Sequence, residues 1–248
     1  MDNQEFTLLQ GKIQNNLTEI TDVISRAATK SGRTKKDVSV LAISKRQPVE
    51  VIEAAYRCGQ GAFGESYVQE ALEKIPYFQQ HEGIRWEMVG HIQSRKARQV
   101  AENFNAVHSL DSLKLAELLN QHRPATMPPL EVFLEVNIGD EISKTGFSAR
   151  NQEDCEALIP VARHVLGLER LKLVGLMAMP PLFQDPQESR PYFIKLRQLR
   201  DYLNNQVKEA ELTQLSAGTS ADFEIAIEEG ATVVRIGERL LGPRIYSD

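Results

Sequence analysis

Hydrophobic and polar positions follow two rhythms along this chain. Short runs are apolar nearly throughout, as in VSVLAIS (38–44), VFLEVNI (132–138) and LKLVGLMA (171–178). Between them lie longer stretches whose apolar residues recur at helical spacing. A strand that is apolar on both sides of its pleat is covered on both faces, which is the mark of a parallel sheet. The pattern predicts strands over 38–44, 62–65, 86–90, 106–110, 131–137, 171–178, 214–217 and 232–237. It predicts helices over 6–30, 49–58, 66–74, 111–121, 152–166, 191–208 and 221–229. Asp111 and Ser220 stand where helix N-caps are expected, and Gly59 and Gly230 where helix-ending glycines are expected. Eight strands alternating with helices point to a (β/α)8 TIM barrel, carried here by one domain over 1–248 with an N-terminal helical extension over 1–36. An open doubly wound sheet is the alternative that the same alternation allows.

Length agrees with one barrel: the chain has 248 residues. The proline-rich stretches RPATMPP (123–129) and MPPLFQDP (179–186) read as loops, the second following the sixth strand. A net charge of −5 leaves no general nucleic-acid footprint. The start, MDNQEFTLLQGK, lacks the order of a signal peptide, and no apolar run approaches the roughly 18 residues of a membrane helix. Cys58 and Cys155 match neither a redox nor a zinc spacing, so free thiols in a cytoplasmic protein are expected.

In such barrels chemistry sits at the C-terminal ends of the strands, and phosphate is often held near strands seven and eight. Lys45 ends the first apolar run. Partial desolvation there favours a neutral, nucleophilic amine, which forms Schiff bases with aldehydes. A lysine whose stem snorkels out to solvent would leave the same trace. In LSAGTSADFEIAIEEG (215–230), Ser216 ends a strand, and Thr219 and Ser220 lie in a glycine-containing turn before a helix. Hydroxyls and free N–H groups there suit an anion, and Asp222 would equally suit ordinary helix capping. Arg235, inside the strand of VVRIGERLLG (233–242), needs a partner, either a buried carboxylate or a ligand atom. Gly237 then allows close backbone approach.

Two stretches look informative and are not. GQGAFG (59–64) matches G-x-G-x-x-G, but it follows a helix and runs into a strand, the reverse of the phosphate-binding arrangement. SRKAR (94–98) reads as a solvated helix face rather than a nucleic-acid patch, and His91, which could contact a ligand from the end of strand three, as a hydrogen-bonded structural histidine.

Several motifs occur together in one order: AISKRQP with Lys45, FGESYVQEALEKI (63–75), WEMVGHIQSRKAR (86–98), SKTGF (143–147), GLMAM (175–179), LSAGTSADFEIAIEEG and VRIGERLLG. With these the chain resembles, over essentially its whole length, the pyridoxal phosphate homeostasis family, whose barrel is like that of alanine racemase. The resemblance implies that Lys45 holds pyridoxal 5'-phosphate (PLP) as an internal aldimine. It also implies phosphate contacts from Ser216, Ser220 and the backbone around Gly237 and Glu238, with Arg235 facing the pyridine nitrogen. Where the family usually has FGEN, this chain has Ser66. It has Gln93-Ser94-Arg95-Lys96 for Gln-x-Asn-Lys, and a slim Ala217-Gly218-Thr219 turn.

Three functions remain to be weighed. A PLP-binding protein would hold the cofactor and release it to other amines or to apo-enzymes that need it. A racemase would need acid/base groups on both faces of the substrate carbon. In alanine racemases the second comes from a C-terminal β-domain, and here the chain stops at Asp248 after the eighth strand. No tyrosine stands at a predicted strand end, although Tyr67 lies close to one. An aldolase would use Lys45 and a phosphate cup but give Arg235 no role. Arg235 stays protonated, which leaves the facing ring nitrogen unprotonated and the cofactor a weak electron sink. The expectation is therefore a non-catalytic PLP binder, monomeric and cytoplasmic, with no nucleic-acid or membrane partner.

Overall fold

The computed structural model describes residues 2–139 and 145–244. Ser143 and Lys144 of the SKTGF motif, and the terminal Asp248, lie outside the described residues. The strands are β1 (Ser39–Ile43), β2 (Ala62–Glu65), β3 (Arg85–Met88), β4 (Ala106–Leu110), β5 (Leu130–Asn137), β6 (Phe147–Ser148), β7 (Leu171–Met177), β8 (Gln214–Thr219) and β9 (Val233–Ile236). Their order is β4-β3-β2-β1-β9-β8-β7-β5, and β4 pairs β5, which closes an eight-membered parallel barrel. The two-residue β6 pairs only with β5 and lies outside the ring.

The helices are α1 (Asn3–Lys30), α2 (Val49–Arg57), α3 (Val68–Lys74), α4 (Ala97–Asn103), α5 (Leu113–His122), α6 (Gln152–Leu166), α7 (Arg190–Gln206), α8 (Phe223–Glu228) and α9 (Glu238–Leu241). The last two are short, at six and four residues, too little to cover β8, β9 and β1. Helix α1 makes up the deficit. Its capping box joins Asp2 and Glu5, its buried stripe is Ile13, Ile20, Ile24, Ala27 and Ala28, and it packs across α2, α8 and α9. Asn16 donates to the Leu240 carbonyl at 3.0 Å. The helical extension anticipated at the N-terminus is thus present and packs against helices of the outer ring.

The main core fills the space between barrel and helices. A smaller apolar cluster of Leu41, Ile43, Phe133, Val174, Met177 and Val233 lies inside the barrel. Gly59 and Gly230 end their helices with φ of +91° and +107°, as their positions foretold. The caps differ from expectation. Ser112, not Asp111, caps α5 by accepting from the Leu115 N–H. Asp222, not Ser220, is the N-cap residue of α8, its carboxylate accepting from the Thr219 N–H and hydroxyl at 2.7 and 3.0 Å. Both displaced residues lie by the barrel mouth: Asp111 meets His91, and Ser220 is freed from capping.

Candidate functional site

A cavity of about 860 Å³ opens where the strands end. Lys45 reaches it through a turn held from several sides. The Ser44 N–H donates to the Gly64 carbonyl and the Gln47 N–H closes the turn on the Ser44 carbonyl, both at 3.0 Å. Beneath it, Lys74 Nζ donates to the Ser44 carbonyl, Glu65 Oε1 and Glu70 Oε1 at 2.8, 2.8 and 2.6 Å. Ser44 Oγ also donates to Glu65 Oε1, and the Arg46 N–H to Glu70. Glu65 is fully buried, and burial pushes its carboxyl above the ordinary range although Lys74 and Ser44 pull the other way. Lys45 itself is half-buried on the cavity wall, and its Nζ has no hydrogen-bond or ion-pair partner among the described residues.

On the two strands next to β1 in the ring, the register between β8 and β9 shifts, so that Ser216 lies opposite Val233 but Thr219 opposite Arg235. Gly218 sits in that irregularity at φ +89°, where a Cβ would come within 2.7 Å of Ala226 Cβ. The bulge brings Thr219 and Ser220 to the cavity wall. Thr219 spends its hydroxyl on Asp222, whereas that of Ser220 is uncommitted. The backbone N–H groups of Ser220, Ala221 and Gly237 likewise have no acceptor among the described residues. Gly237 is buried between β9 and α9 and lines the cavity. Glu238 is exposed at the rim, 3.7 Å from Arg244 Nε, and Ser66 is half-buried on the wall after β2.

Among the described residues no carboxylate forms an ion pair with Arg235, which leaves a ligand atom as the other partner anticipated for it. Its Nη1 donates to the Ser216 carbonyl and Oγ, both at 2.8 Å, and Nη2 to the Ala178 carbonyl at 3.0 Å. Burial lowers it to about 10, so it remains cationic at neutral pH, with its Nε uncommitted and the residue on the cavity wall. Ser216 is corrected by this geometry: it does not line the cavity. It lies fully buried one layer down and joins Arg235 to His108, whose Nδ1 is 2.8 Å from Ser216 Oγ. His108 Nε2 meets Glu87 at 2.7 Å, and its ring stacks on Phe133 at 4.2 Å. Arg85 continues the chain to Glu131. The Arg235 hydroxyl acceptor thus belongs to a polar column inside the barrel.

Beyond the anticipated residues, the wall includes Glu135, Thr145, Gln69, Lys96 and Arg244. Burial raises Glu135, opposed by the hydroxyl of Thr145 at 2.8 Å. Glu87 and Glu135 each alternate with apolar neighbours in their strands, so period-two counting could have marked them as inward-facing, whereas His108, followed by Ser109, gave a weaker signal. Lys96 and Gln69 carried no comparable signal. His91 is an exposed rim residue bonded to Asp111 at 2.8 Å, Tyr67 precedes α3 on the wall, and GQGAFG runs from helix into β2 as expected. SRKAR is a turn into α4, with Arg98 paired to Glu102 on its exposed face. Among the described residues no cluster could hold a metal, and no helix is long and apolar enough to cross a membrane.

The donors gathered here, a partnerless amine beside an array of N–H and hydroxyl groups, fit a ligand bearing both an anion and an amine-reactive carbon. Known proteins agree on the frame. The family profile described as alanine racemase, N-terminal domain, matches residues 15–244. The pyridoxal phosphate homeostasis protein of Vibrio alginolyticus is 41% identical over 238 residues, covering 95% of this chain and 99% of that protein. That of Escherichia coli K12 is 39% identical over 237 residues, covering 95% and 98%. PipY of Synechococcus elongatus PCC7942, solved with PLP bound, is 32% identical with a TM-score of 0.75, covering 89% of this chain and all of that one. An alanine racemase from Clostridium difficile 630, at 16% identity and a TM-score of 0.64, shares the fold and covers 93% of this chain but 56% of its own. The chain belongs to the alanine racemase N-terminal-domain family and, within it, to the pyridoxal phosphate homeostasis proteins.

Proposed function

We propose that this protein binds pyridoxal 5'-phosphate at the barrel mouth and takes part in its homeostasis by holding and releasing it, without catalytic turnover. The observation that carries this reading is the partnerless Lys45 amine after β1, beside the uncommitted N–H and hydroxyl donors that follow the neighbouring β9 and β8, those of Ser220, Ala221 and Gly237. In this reading Lys45 Nζ bonds the aldehyde carbon. Ser220 and the 220–221 and 237–238 backbone take the phosphate, with Ser216 acting through Arg235 rather than touching the ligand. Thr219, Ser66 and Glu238 border the ligand. The cofactor, when bound, supplies an aldehyde that exchanges between amines.

Arg235 supports restraint from catalysis. Cationic and held on three acceptors, it presents only donors to a ring nitrogen, so that nitrogen stays unprotonated and the ring stabilises carbanions poorly. The fuller reading is a cytoplasmic monomer that passes the cofactor to apo-enzymes. Its support is the two free thiols, as a reducing compartment leaves them, and the homeostasis proteins to which the chain is similar. Racemisation is the second reading, favoured by Tyr67 and His91 reaching the same cavity. Holo-protein incubated with amino acids in deuterated water separates the two. We expect no stereospecific α-proton exchange, and rapid exchange would overturn the non-catalytic reading.

A further inference from the structure

The cavity has a second cationic end. In the closed ring β3 and β8 stand opposite each other, four strands apart by either route, β3-β4-β5-β7-β8 or β3-β2-β1-β9-β8. The donors of Ser220 follow β8, and Lys96 follows β3. Lys96 is half-buried on the wall, and its Nζ donates to the amide oxygen of Gln69, a neutral partner. No carboxylate pairs with it among the described residues.

The acidic groups on that side do not pair with it: Glu70 takes Lys74 and the Arg46 N–H, Asp111 takes His91, and Glu135 accepts from the Thr145 hydroxyl. The Lys96 charge is therefore uncompensated, and the Gln69 Nε2 donors are uncommitted beside it. A half-buried cation with only an amide for company favours an incoming anion. The phosphate end lies across the barrel, so this anion belongs to a different ligand.

We infer that Lys96 and Gln69 form a subsite for the carboxylate of a free α-amino acid, which enters beside Lys45 and removes the cofactor. The inference rests on the reading of the site as a PLP holder. The step is an amine exchange without redox change. The incoming nitrogen bonds the aldehyde carbon, the bond from that carbon to Lys45 Nζ breaks, and the hydrogens leaving the incoming amine end on Nζ. Lys96 fixes the carboxylate and so turns the amino group towards the carbon, and an amine without a carboxylate gains nothing from it.

The test mixes holo-protein with glycine or L-alanine, and separately with ethylamine, and follows the cofactor's absorbance. Lys96→Met is expected to take up cofactor normally and to exchange with ethylamine at the wild-type rate. Its exchange with the amino acids is expected to slow about ten-fold or more, the worth of a charge-assisted hydrogen bond. Lys96→Arg should restore most of the difference, and Gln69→Ala should lose a smaller part of it. Equal slowing with both kinds of amine, or none with either, would overturn the subsite. So would a Lys96→Met protein that folds but takes up no cofactor, which would put Lys96 in cofactor binding. A wild-type protein that takes up no cofactor would instead sink the underlying reading.

Discussion

Replacing Ser216 by alanine isolates the polar column inside the barrel. The substitution removes one oxygen that serves two buried groups. Arg235 Nη1 loses one of its two acceptors, keeping the Ser216 carbonyl, and His108 Nδ1 loses its only partner. His108 is fully buried, so no water replaces the hydroxyl. An orphaned buried polar group costs about 1–3 kcal/mol, and a lost bond to a charged group about as much. With the carbonyl remaining for Arg235, we expect about 3 kcal/mol of lost stability in the cofactor-free protein. For a chain of this size that corresponds to a fall in Tm of roughly 6–12 °C. Urea unfolding of the apo-protein, followed by circular dichroism, reads the free energy directly. Ser220→Ala is the contrast: its hydroxyl has no intramolecular partner, so apo stability should stay within about 0.5 kcal/mol while cofactor affinity falls. A Ser216→Ala protein as stable as wild type would refute the column. So would a Ser220→Ala protein that is markedly destabilised.

The hydrophobic pattern made eight parallel strands legible because each buried strand is a short apolar run, while the β4–β5 pairing, which no run announces, decides for the closed ring over the open sheet. Lys45, Ser220, Arg235 and Gly237 stood out since each breaks such a run at its end or within it. Ser216 was expected at a strand end, but β8 runs on to Thr219, so Ser216 lies mid-strand with its side chain inside the barrel. The bulge between β8 and β9 decides that, and only Gly218 hinted at it. The caps slipped for a local reason, because Asp and Ser neighbours at 111–112 and 220–222 can each cap, and hydrogen bonding chose between them. Helix α1 was legible as an addition before the first strand, whereas its packing on the short α8 and α9 is a property of tertiary structure. Lys96 and Gln69 lie far apart in sequence, on exposed-looking polar stretches.

Lys74→Met leaves Glu65 buried without its counter-charge, and a broken buried pair costs about 3–5 kcal/mol. Glu65 already titrates above the ordinary range, so the folded variant keeps its proton longer than the unfolded chain. The stability deficit should therefore grow as pH rises from about 4.5 towards neutrality. A deficit independent of pH in chemical denaturation would contradict this. Glu87 behaves in the opposite sense. Burial raises it, but the hydrogen bonds and charges of His108 and Arg85 more than offset that, and its carboxyl titrates below the usual 4.5. The unfolded chain binds that proton first, so the contribution is full above 4.5 and is lost as pH falls through the depressed folded value. Glu87→Gln should be less stable at neutral pH yet flatter on the acid side, measured as unfolding free energy against pH. Gly218→Val, which places a branched Cβ at φ +89° against Ala226, should cost about 2 kcal/mol or more and lower cofactor affinity by displacing Ser220. Thermal unfolding and a binding titration check both.

The central claim is that Lys45 is the amine that holds the cofactor, and borohydride tests it most directly. The protein is loaded with pyridoxal phosphate, reduced, digested, and the modified peptide identified by mass spectrometry. The account predicts one stoichiometric modification, on Lys45, and its loss in Lys45→Ala. Modification spread over Lys96 and surface lysines, unchanged by Lys45→Ala, would contradict it.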